Sequence, residues 1–434
     1  MEIVVIGLGY VGLVNAVVLA GYHHKVTGYD LNVSKIARLK QGEAVLSEPG
    51  LQELLNKNKE NLIFTDSAET AIKDKEVAFV AVDTPENPDG SANLVHFYAA
   101  LHQIAKFATR PMSVIIRSTV PVGTNRLAAA YLKEESPLAF NVISQPEFLS
   151  QGRAVKDMKK PYRIILGVAE GETKKTVKAL YAFYTKKHVP VLYTSPESAE
   201  LAKYASNNFL ALKISYINEM ARLAEKVGAD IDEVATGMGL DPRIGKAFFK
   251  AGIGYGGSCF PKDTKALNWL ADKKHTPSET LKATIKVNQE QPKLFVDKIN
   301  QRFHGVLTGK KIAVLGLAFK GNTTDVRNSP AYPIIERLLS YGAEVVAYDK
   351  SAIEEFKKNI DANEHLTYSN QLLSAMKGVQ AVVIANDAKE IKTLKPSDFI
   401  DAMDKPIVYD GRNLYKPLAM AKIEYHSVGR PSSR

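Results

Sequence analysis

Ile3-Val4-Val5-Ile6-Gly7-Leu8-Gly9-Tyr10-Val11-Gly12 opens the chain, and its reading decides the fold. From Ile3 to Tyr22 the only clearly polar side chain is Asn15. That length matches a membrane span. It lacks a positively charged flank and a small-residue cleavage site, so it is also a poor signal peptide. The glycines supply a different reading. Gly7, Gly9 and Gly12 form G-x-G-x-x-G after a β-branched run and before a helical one. The stretch therefore predicts a buried strand, a glycine turn and a buried helix. Asp30 stands eighteen residues beyond Gly12, at the end of the next predicted strand, Lys25–Tyr29. Together these parts make a dinucleotide-binding fingerprint.

Each part has a physical task. Gly7 permits the tight turn, Gly9 lets a pyrophosphate approach the backbone, and Gly12 lets the helix pack on the strand. Tyr10 and Val11 begin the helix, whose N-terminal amides and dipole favour an anion. Asp30 is placed to accept hydrogen bonds from ribose hydroxyls. A carboxylate there repels a 2′-phosphate, and Leu31-Asn32 offers no cation, so the expected cofactor is NAD and not NADP. Lys35 is placed to touch the same ribose. The alternative is a domain of this shape that has lost its cofactor.

Outward from this unit, Val77–Val82, Val114–Ile116, Val142–Ser144 and Arg163–Val168 read as strands between helical stretches. Such alternation predicts a parallel, doubly wound sheet. Glu197 to Val227 contains no proline or glycine and keeps apolar residues at helical spacing, predicting one helix of about 30 residues. Asp230–Ala235 and Pro277–Phe303 are also predicted helical, with a glycine-rich segment at Gly252–Gly257 between them. Then βα alternation resumes: strand Lys311–Leu315, helix Tyr332–Tyr341, strands Glu344–Tyr348 and Val379–Ile384, and Ile407–Tyr409 as the last strand. The expected class is α/β, with two Rossmann-like βα domains joined by a helical middle domain built around one long helix. The expected domains are 1–196, 197–303 and 304–434. Gly7 to Asp30 and Gly316 to Asp349 share one strand–Gly–helix–strand–Asp order, which resembles an internal duplication. The tail, Pro431–Arg434, is expected to be disordered.

Across 434 residues, 45% are apolar and 24% charged, a globular balance with enough apolar content for large cores. Lys and Arg number 57 against 47 Asp and Glu, a formal charge of +10. The lysines fall in scattered doublets such as Lys159-Lys160 and Lys310-Lys311, so no nucleic-acid tail is present. The excess reads as solvated surface, or as a positive field that attracts small anions such as nucleotides. Cys259 is the only cysteine, which rules out an intrachain disulfide and a Cys-clustered metal site. A cytoplasmic location is expected, with no metal, nucleic acid or membrane as partner.

Candidate site residues gather at strand ends and around the cysteine. Ligands in open α/β sheets bind at the carboxyl ends of strands. Thr84, Thr119 and Glu147 follow three of the predicted strands. Thr84 and Thr119 equally suit plain turns before proline. Lys203 and Asn207 are i and i+4 on the long helix, facing either a ligand or solvent. Gly252-Ile253-Gly254-Tyr255-Gly256-Gly257-Ser258-Cys259-Phe260-Pro261-Lys262-Asp263 carries four glycines in six residues. These are expected to let a ligand approach the backbone. A thiol just after such a loop suits a nucleophile, given a cation or helix N-terminus to raise its thiolate fraction. Otherwise Cys259 is a small buried apolar residue.

Further motifs are STVPVGT (Ser118–Thr124), PEFL (Pro146–Leu149), KYASN (Lys203–Asn207), GLDPRIG (Gly239–Gly245), GLAFKGNTTDVR (Gly316–Arg327) and DGRN (Asp410–Asn413). By these motifs, nearly end to end, the chain resembles the UDP-glucose/GDP-mannose dehydrogenase family. The resemblance implies a four-electron oxidation of UDP-glucose at C6 to UDP-glucuronate, with two NAD. It implies Cys259 as the nucleophile of a thiohemiacetal and then a thioester, with Lys203 stabilising oxyanions. Asp263 would pair with Lys203 and hold a water, and Asn207 would donate to the sugar oxygen. Glu147 would be general base for thioester hydrolysis, with Thr119 positioning the water. The implied sugar-nucleotide pocket includes Glu147, Phe148, Leu149, Phe249, Lys250, Tyr255, Gly256, Gly257, Phe319, Lys320 and Arg412, with Arg243 from a neighbouring subunit. Thr84, Thr119, Gln151, Lys262 and Arg327 would contact NAD. A homodimer or larger homo-oligomer is implied, with the long helix at its interface.

Two positions depart from the family pattern. Gln151 replaces a carboxylate that the family uses near the cofactor, although Gln still hydrogen-bonds. Asn322 stands where proline is common and is expected to change only the stiffness of its loop. Rival substrates are GDP-mannose and an N-acetylated UDP-hexose. The branch for the latter typically has His before the cysteine and lacks the Phe260-Pro261-Lys262-Asp263 sequence, whereas this chain has Ser258 and keeps it. A two-electron hydroxyacid dehydrogenase would have no use for Cys259. A non-enzymatic anion or nucleic-acid binder rests on the charge alone.

Overall fold

The apolar opening forms β1 (Glu2–Ile6) and α1 (Tyr10–Ala20), with the first two glycines of the motif in the turn. The structure, a computed structural model, describes residues 1–171 and 174–431. Of the tail expected to be disordered, Pro431–Arg434, residues 432–434 lie outside the described ones. The chain divides into two compact units, Met1–Ser206 and Asn207–Arg434.

In the first unit, β1 is joined by β2 (Lys25–Tyr29), β3 (Leu62–Thr65), β4 (Val77–Val80), β5 (Met112–Ile116), β6 (Phe140–Ser144), β7 (Ile164–Val168) and β8 (Val191–Thr194). Their order is β3-β2-β1-β4-β5-β6-β7-β8. Side chains alternate across the sheet, so Ile3 and Val5 enter one core cluster and Val4 and Ile6 the other. Both faces are covered, as a doubly wound sheet requires. The wholly parallel expectation is corrected at one place: β7 runs antiparallel to β6, pairing Ile143 with Val168. The connection between them carries only the six-residue helix Ala154–Lys159, and β7 re-enters at the end of the sheet where β6 leaves it. The edge-lying β3 and the half-exposed β8 escaped prediction, because neither has a run buried on both faces.

α2 (Thr124–Glu135) follows β5, and α3 (Pro196–Val227) is the expected long helix, of 32 residues. The boundary between the units falls within α3. Beyond it come α4 (Ile231–Leu240), α5 (Phe260–Lys273) and α6 (Glu279–Arg302). α5 was not anticipated. Its Pro261 lies in the first turn, where the missing N–H is not needed.

The second sheet contains β9 (Lys311–Leu315), β10 (Glu344–Tyr348), β11 (Leu366–Ser369), β12 (Ala381–Ile384), β13 (Ile407–Asp410) and β14 (Glu424–Ser427), with α7 (Ala331–Ser340) after β9. Its order is β11-β10-β9-β12-β13-β14, all parallel. β13 is therefore not the last strand. Glu-Tyr-His-Ser carries no apolar run, and only Tyr425 is buried. Ile217 and Ala221 of α3 and Phe295, Val296 and Ile299 of α6 share one core with Ile312, Val314 and Ile335.

The duplicated grammar holds at the residue level. Asp30 accepts the Leu8 N–H at 2.8 Å, and Asp349 accepts the Leu317 N–H at 2.9 Å. The second glycine turn nevertheless leads into a loop, and α7 begins only at Ala331. A Cβ on Gly316 would lie 2.3 Å from Asn386 Cγ. That turn offers no open helix N-terminus for a pyrophosphate.

Candidate active site

The dinucleotide seat lies in the first unit. Gly7 has φ +87°, and a Cβ there would stand 2.8 Å from the Ala81 carbonyl oxygen. A Cβ on Gly12 would stand 1.8 Å from the Gly7 carbonyl oxygen. Turn and packing thus both require glycine. At Gly9, the N-cap of α1, a Cβ would meet only Asp83 Oδ1, at 3.9 Å. The approach to the helix N-terminus is open, so these residues fit a dinucleotide pyrophosphate. Asp30 also accepts from Asn32 N–H at 2.9 Å and from Lys35 Nζ at 2.7 Å, placing Lys35 beside the expected ribose carboxylate.

Tyr10 donates its hydroxyl proton to Glu48, and the Gly152 N–H lies 2.7 Å from both Tyr10 Oη and Glu48 Oε2. Burial and the Glu48 carboxylate push the Tyr10 hydroxyl far above its ordinary pKa. This clasp ties the loop bearing Gln151 to the start of α1. Sequence reasoning passed over Glu48, because nothing local to it marks a partner a hundred residues away.

At the strand ends, Thr84 Oγ1 donates to the Thr119 carbonyl at 2.8 Å. Glu200 of α3 accepts from the Gly123 and Asn125 N–H groups at 2.6 and 2.8 Å, capping α2 from another helix. Burial raises its pKa against those hydrogen bonds. Lys203 Nζ donates to Glu147 Oε1 at 2.9 Å, and the Leu149 N–H donates to Glu147 Oε2 at 2.6 Å. Burial pushes the Glu147 carboxyl up. The Lys203 charge and hydrogen bond, the Leu149 N–H and Arg117 outweigh burial and hold it below the usual carboxylate range. Phe148 faces two cations, with the Arg163 guanidinium 3.8 Å and Lys203 Nζ 5.4 Å from its ring centroid. Lys203 and Asn207 are both buried, so their face of α3 is not solvated surface.

In the second unit, Cys259 is exposed and is the N-cap residue of α5. The buried-residue reading of this cysteine therefore fails. A thiol at a helix N-terminus faces the positive end of the dipole, which favours the thiolate. Ser258 Oγ lies 3.7 Å from its Sγ. In the first turn of α5, Asp263 accepts from Asn207 Nδ2 at 2.6 Å and from Lys262 Nζ at 2.8 Å.

The glycine segment is built differently from the expectation. Added Cβ atoms would meet the Gly411 carbonyl oxygen at 2.8 Å from Gly252 and Asn288 Oδ1 at 2.8 Å from Gly254. They would meet the Asn328 carbonyl oxygen at 2.2 Å from Gly256 and the Phe319 ring at 2.9 Å from Gly257. These glycines let other parts of the protein pack against the loop, so ligand access is not what requires them. Three amides that sequence reasoning missed hold the segment. Asn288 clasps Tyr255 by accepting its N–H at 2.8 Å and donating to its carbonyl at 3.0 Å. Asn218 accepts the Gly252 N–H at 2.8 Å, and Gln291 donates to the Gly252 carbonyl at 2.9 Å. The available signal was polarity on buried helix faces: Asn218 beside Ile217 on α3, and Asn288 and Gln291 three apart on α6.

Arg412 donates to the carbonyls of Ala385 and Gly254 at 2.8 Å and of Phe319 at 3.3 Å. Burial lowers its pKa to about 10, which leaves it charged at neutral pH. Its first contribution is thus to brace Gly254 and Phe319. Lys320 Nζ lies 5.3 Å from the Phe319 ring centroid, and Lys213 Nζ lies 4.2 Å from that of Phe249. Phe248, just before Phe249 and Lys250, has φ +67°, a strained conformation for an aromatic residue. Arg243 is exposed and paired with Asp241, and Arg327 is paired with Asp325. Asn322 has φ +60°, which proline cannot adopt. Its replacement of proline therefore changes the path of the loop, beyond its stiffness.

Among the described residues, no group of three His, Cys, Asp or Glu side chains is placed to hold a metal, and no helix is long and apolar enough to cross a membrane. Residues 1–185 match the NAD binding domain of the UDP-glucose/GDP-mannose dehydrogenase family, 197–290 its central domain, and 313–417 its UDP binding domain. The chain is 44% identical to UDP-glucose 6-dehydrogenase YwqF of Bacillus subtilis over 99% of its own length and 98% of the relative's. It is 40% identical to the UDP-glucose 6-dehydrogenase of Rhizobium meliloti, covering 99% of this chain and 100% of that one. Among solved structures, a UDP-glucose dehydrogenase from Pyrobaculum islandicum superposes with a TM-score of 0.91 at 38% identity, covering 99% of this chain and 98% of that one.

Proposed function

Because the chain belongs to the UDP-glucose/GDP-mannose dehydrogenase family and is an NAD-dependent dehydrogenase, we propose that it oxidises UDP-glucose at C6 to UDP-glucuronate, using two NAD per sugar. The observation that carries this reading is the exposed Cys259 at the N-terminus of α5. Full-length relatives named UDP-glucose 6-dehydrogenases support the substrate.

NAD supplies the hydride acceptor for each two-electron oxidation. After the first, the Cys259 thiolate adds to the aldehyde carbon, and the resulting oxyanion takes up a proton to give a thiohemiacetal. The second oxidation removes two electrons and leaves a thioester. Water then attacks the thioester carbon, the C–S bond breaks, and the thiol is restored. Lys203, paired with Glu147, stabilises the oxyanions, and Asp263, which accepts from Asn207 and Lys262 in place of the expected Lys203, holds a water. Asn207 donates to the sugar oxygen. Glu147 takes the proton of the attacking water, positioned by Thr119. Its depressed pKa keeps it ionised but weakly basic, so placement carries its role. Gln151, Lys262 and Arg327 contact NAD. Phe148, Leu149, Phe249, Lys250, Phe319, Lys320 and Arg412 bind the nucleotide sugar, with Arg243 acting from a second subunit. The proposal keeps a division into 1–196 for NAD, 197–303 for dimerisation and 304–434 for the UDP-sugar. It includes a cytoplasmic location, where the single thiol stays reduced.

Purified protein with UDP-glucose should release two NADH per sugar consumed, and Cys259→Ala should lose this four-electron turnover. Rapid NADH release from GDP-mannose with none from UDP-glucose would overturn the substrate. Multiple turnover by Cys259→Ala would overturn the mechanism.

A further inference from the structure

Arg117 and Arg163 of the first unit form no direct ion pair with a carboxylate among the described residues, and both line one cavity. Arg117 follows β5 and is 4% exposed. Its Nε has no hydrogen-bond partner, and one terminal nitrogen reaches only Met158 Sδ, at 3.6 Å. A thioether is a weak acceptor. Arg163 precedes β7 and stacks on the Phe148 ring, and burial lowers its pKa. The cavity measures about 40 Å³, and Lys160 adds a third cation to its wall.

Two carboxylates also line the cavity, and both are engaged. Glu147 holds Lys203 and the Leu149 N–H. Asp157 accepts the Ser150 N–H at 3.0 Å and pairs with Arg153 at 3.4 Å. Glu147 also feels the Arg117 charge, but Lys203 already neutralises it, so the wall with Arg117, Arg163 and Lys160 keeps a positive excess. A buried charge is costly unless it is paired and hydrogen-bonded. One water needs about 10–15 Å³ of such space, so the cavity has room for a small ion.

We propose that this cavity binds one small inorganic anion, of the size of a halide, nitrate or bicarbonate, against Arg117 and Arg163. A guanidinium offers parallel N–H donors that suit a planar oxyanion, and either anion type supplies the missing charge. The bound anion neutralises Arg117 beside the loop that carries Glu147 and Phe148.

Crystals of the full chain soaked in sodium bromide provide the direct test, since bromide is located by anomalous scattering. An anomalous peak is expected within hydrogen-bond distance of Arg117, and none at that place in Arg117→Gln. In solution at fixed ionic strength, exchanging gluconate for nitrate should raise Tm. The apparent nitrate affinity should fall about tenfold or more in Arg117→Gln, as loss of a charge-assisted hydrogen bond requires. Arg163→Gln, a less buried site, serves the same comparison if Arg117→Gln does not fold. Water alone in the cavity at saturating bromide, with bromide bound elsewhere, overturns the proposal. Equal nitrate stabilisation of wild type and variants also overturns it and marks any bromide peak as an adventitious ion only. None of these readings uses turnover, so they stand or fall independently of the proposed reaction.

Discussion

At Glu147 burial and pairing oppose each other, and pairing prevails. The carboxyl is held below its usual pKa by Lys203, the Leu149 N–H and Arg117. Because the folded value is depressed, the pair contributes stability above the ordinary glutamate pKa, near 4.3. That contribution is lost as pH falls through the lowered folded value. Glu147→Gln should therefore flatten the stability–pH curve in that acidic window, as followed by urea denaturation. Lys203→Met leaves a buried carboxylate unpaired and should cost about 3–5 kcal/mol of stability by the same measurement. The Tyr10–Glu48–Gly152 clasp makes a separate prediction. Tyr10→Phe and Glu48→Gln should raise the Kd for NAD, read by fluorescence titration, and leave the affinity for UDP alone unchanged. Cys259, Glu147 and Asp30 were legible as site residues because each follows a signal in its own neighbourhood, a glycine loop or a strand end. Arg117 also stands at a strand end, yet its lack of an ion-pair partner is a property of three-dimensional neighbours. Glu48 and Glu200 had no local signal.

Elements inherit their reliability from the same locality. β1, the glycine turn and α1 were legible because a two-sided buried strand and a buried helix leave continuous apolar runs. α5 was hidden because its amphipathic pattern starts inside a segment dominated by glycine. Its appearance changes the chemistry of Cys259, which becomes a helix N-cap residue. The four glycines before it were visible, but their purpose was not: they admit Gly411, Asn288, Asn328 and Phe319. Asn288→Ala removes the two hydrogen bonds that clasp Tyr255 and should raise KM for the nucleotide sugar about tenfold, with little effect on KM for NAD. Steady-state kinetics with each substrate varied would show the split; equal changes in both constants would assign Asn288 a general structural role.

For the whole chain, the outstanding surface feature is on α3. Phe209, Tyr216 and Leu223 recur every seven residues and are 61%, 43% and 54% exposed. Such a stripe on one helix suits a self-complementary contact. The proposed homodimer should fall to a monomer in light scattering on Phe209→Glu with Tyr216→Glu, and an unchanged mass would remove α3 from the interface. The sequence by itself determined two α/β halves with a long helix between them, the NAD fingerprint and the family, because strand and helix periodicities and motif spacings are local. Tertiary structure decided what no spacing encodes. It turned β7 antiparallel, added β14, gave Asn322 a backbone closed to proline, and filled the glycine loop with protein. It also set Arg117 and Arg163 around one cavity, out of direct ion-pair contact with its two carboxylates. The physical reason is common to all of these: hydrogen-bond partners, buried charge balance and close backbone approach depend on residues far apart in the chain, and only folding brings them within reach.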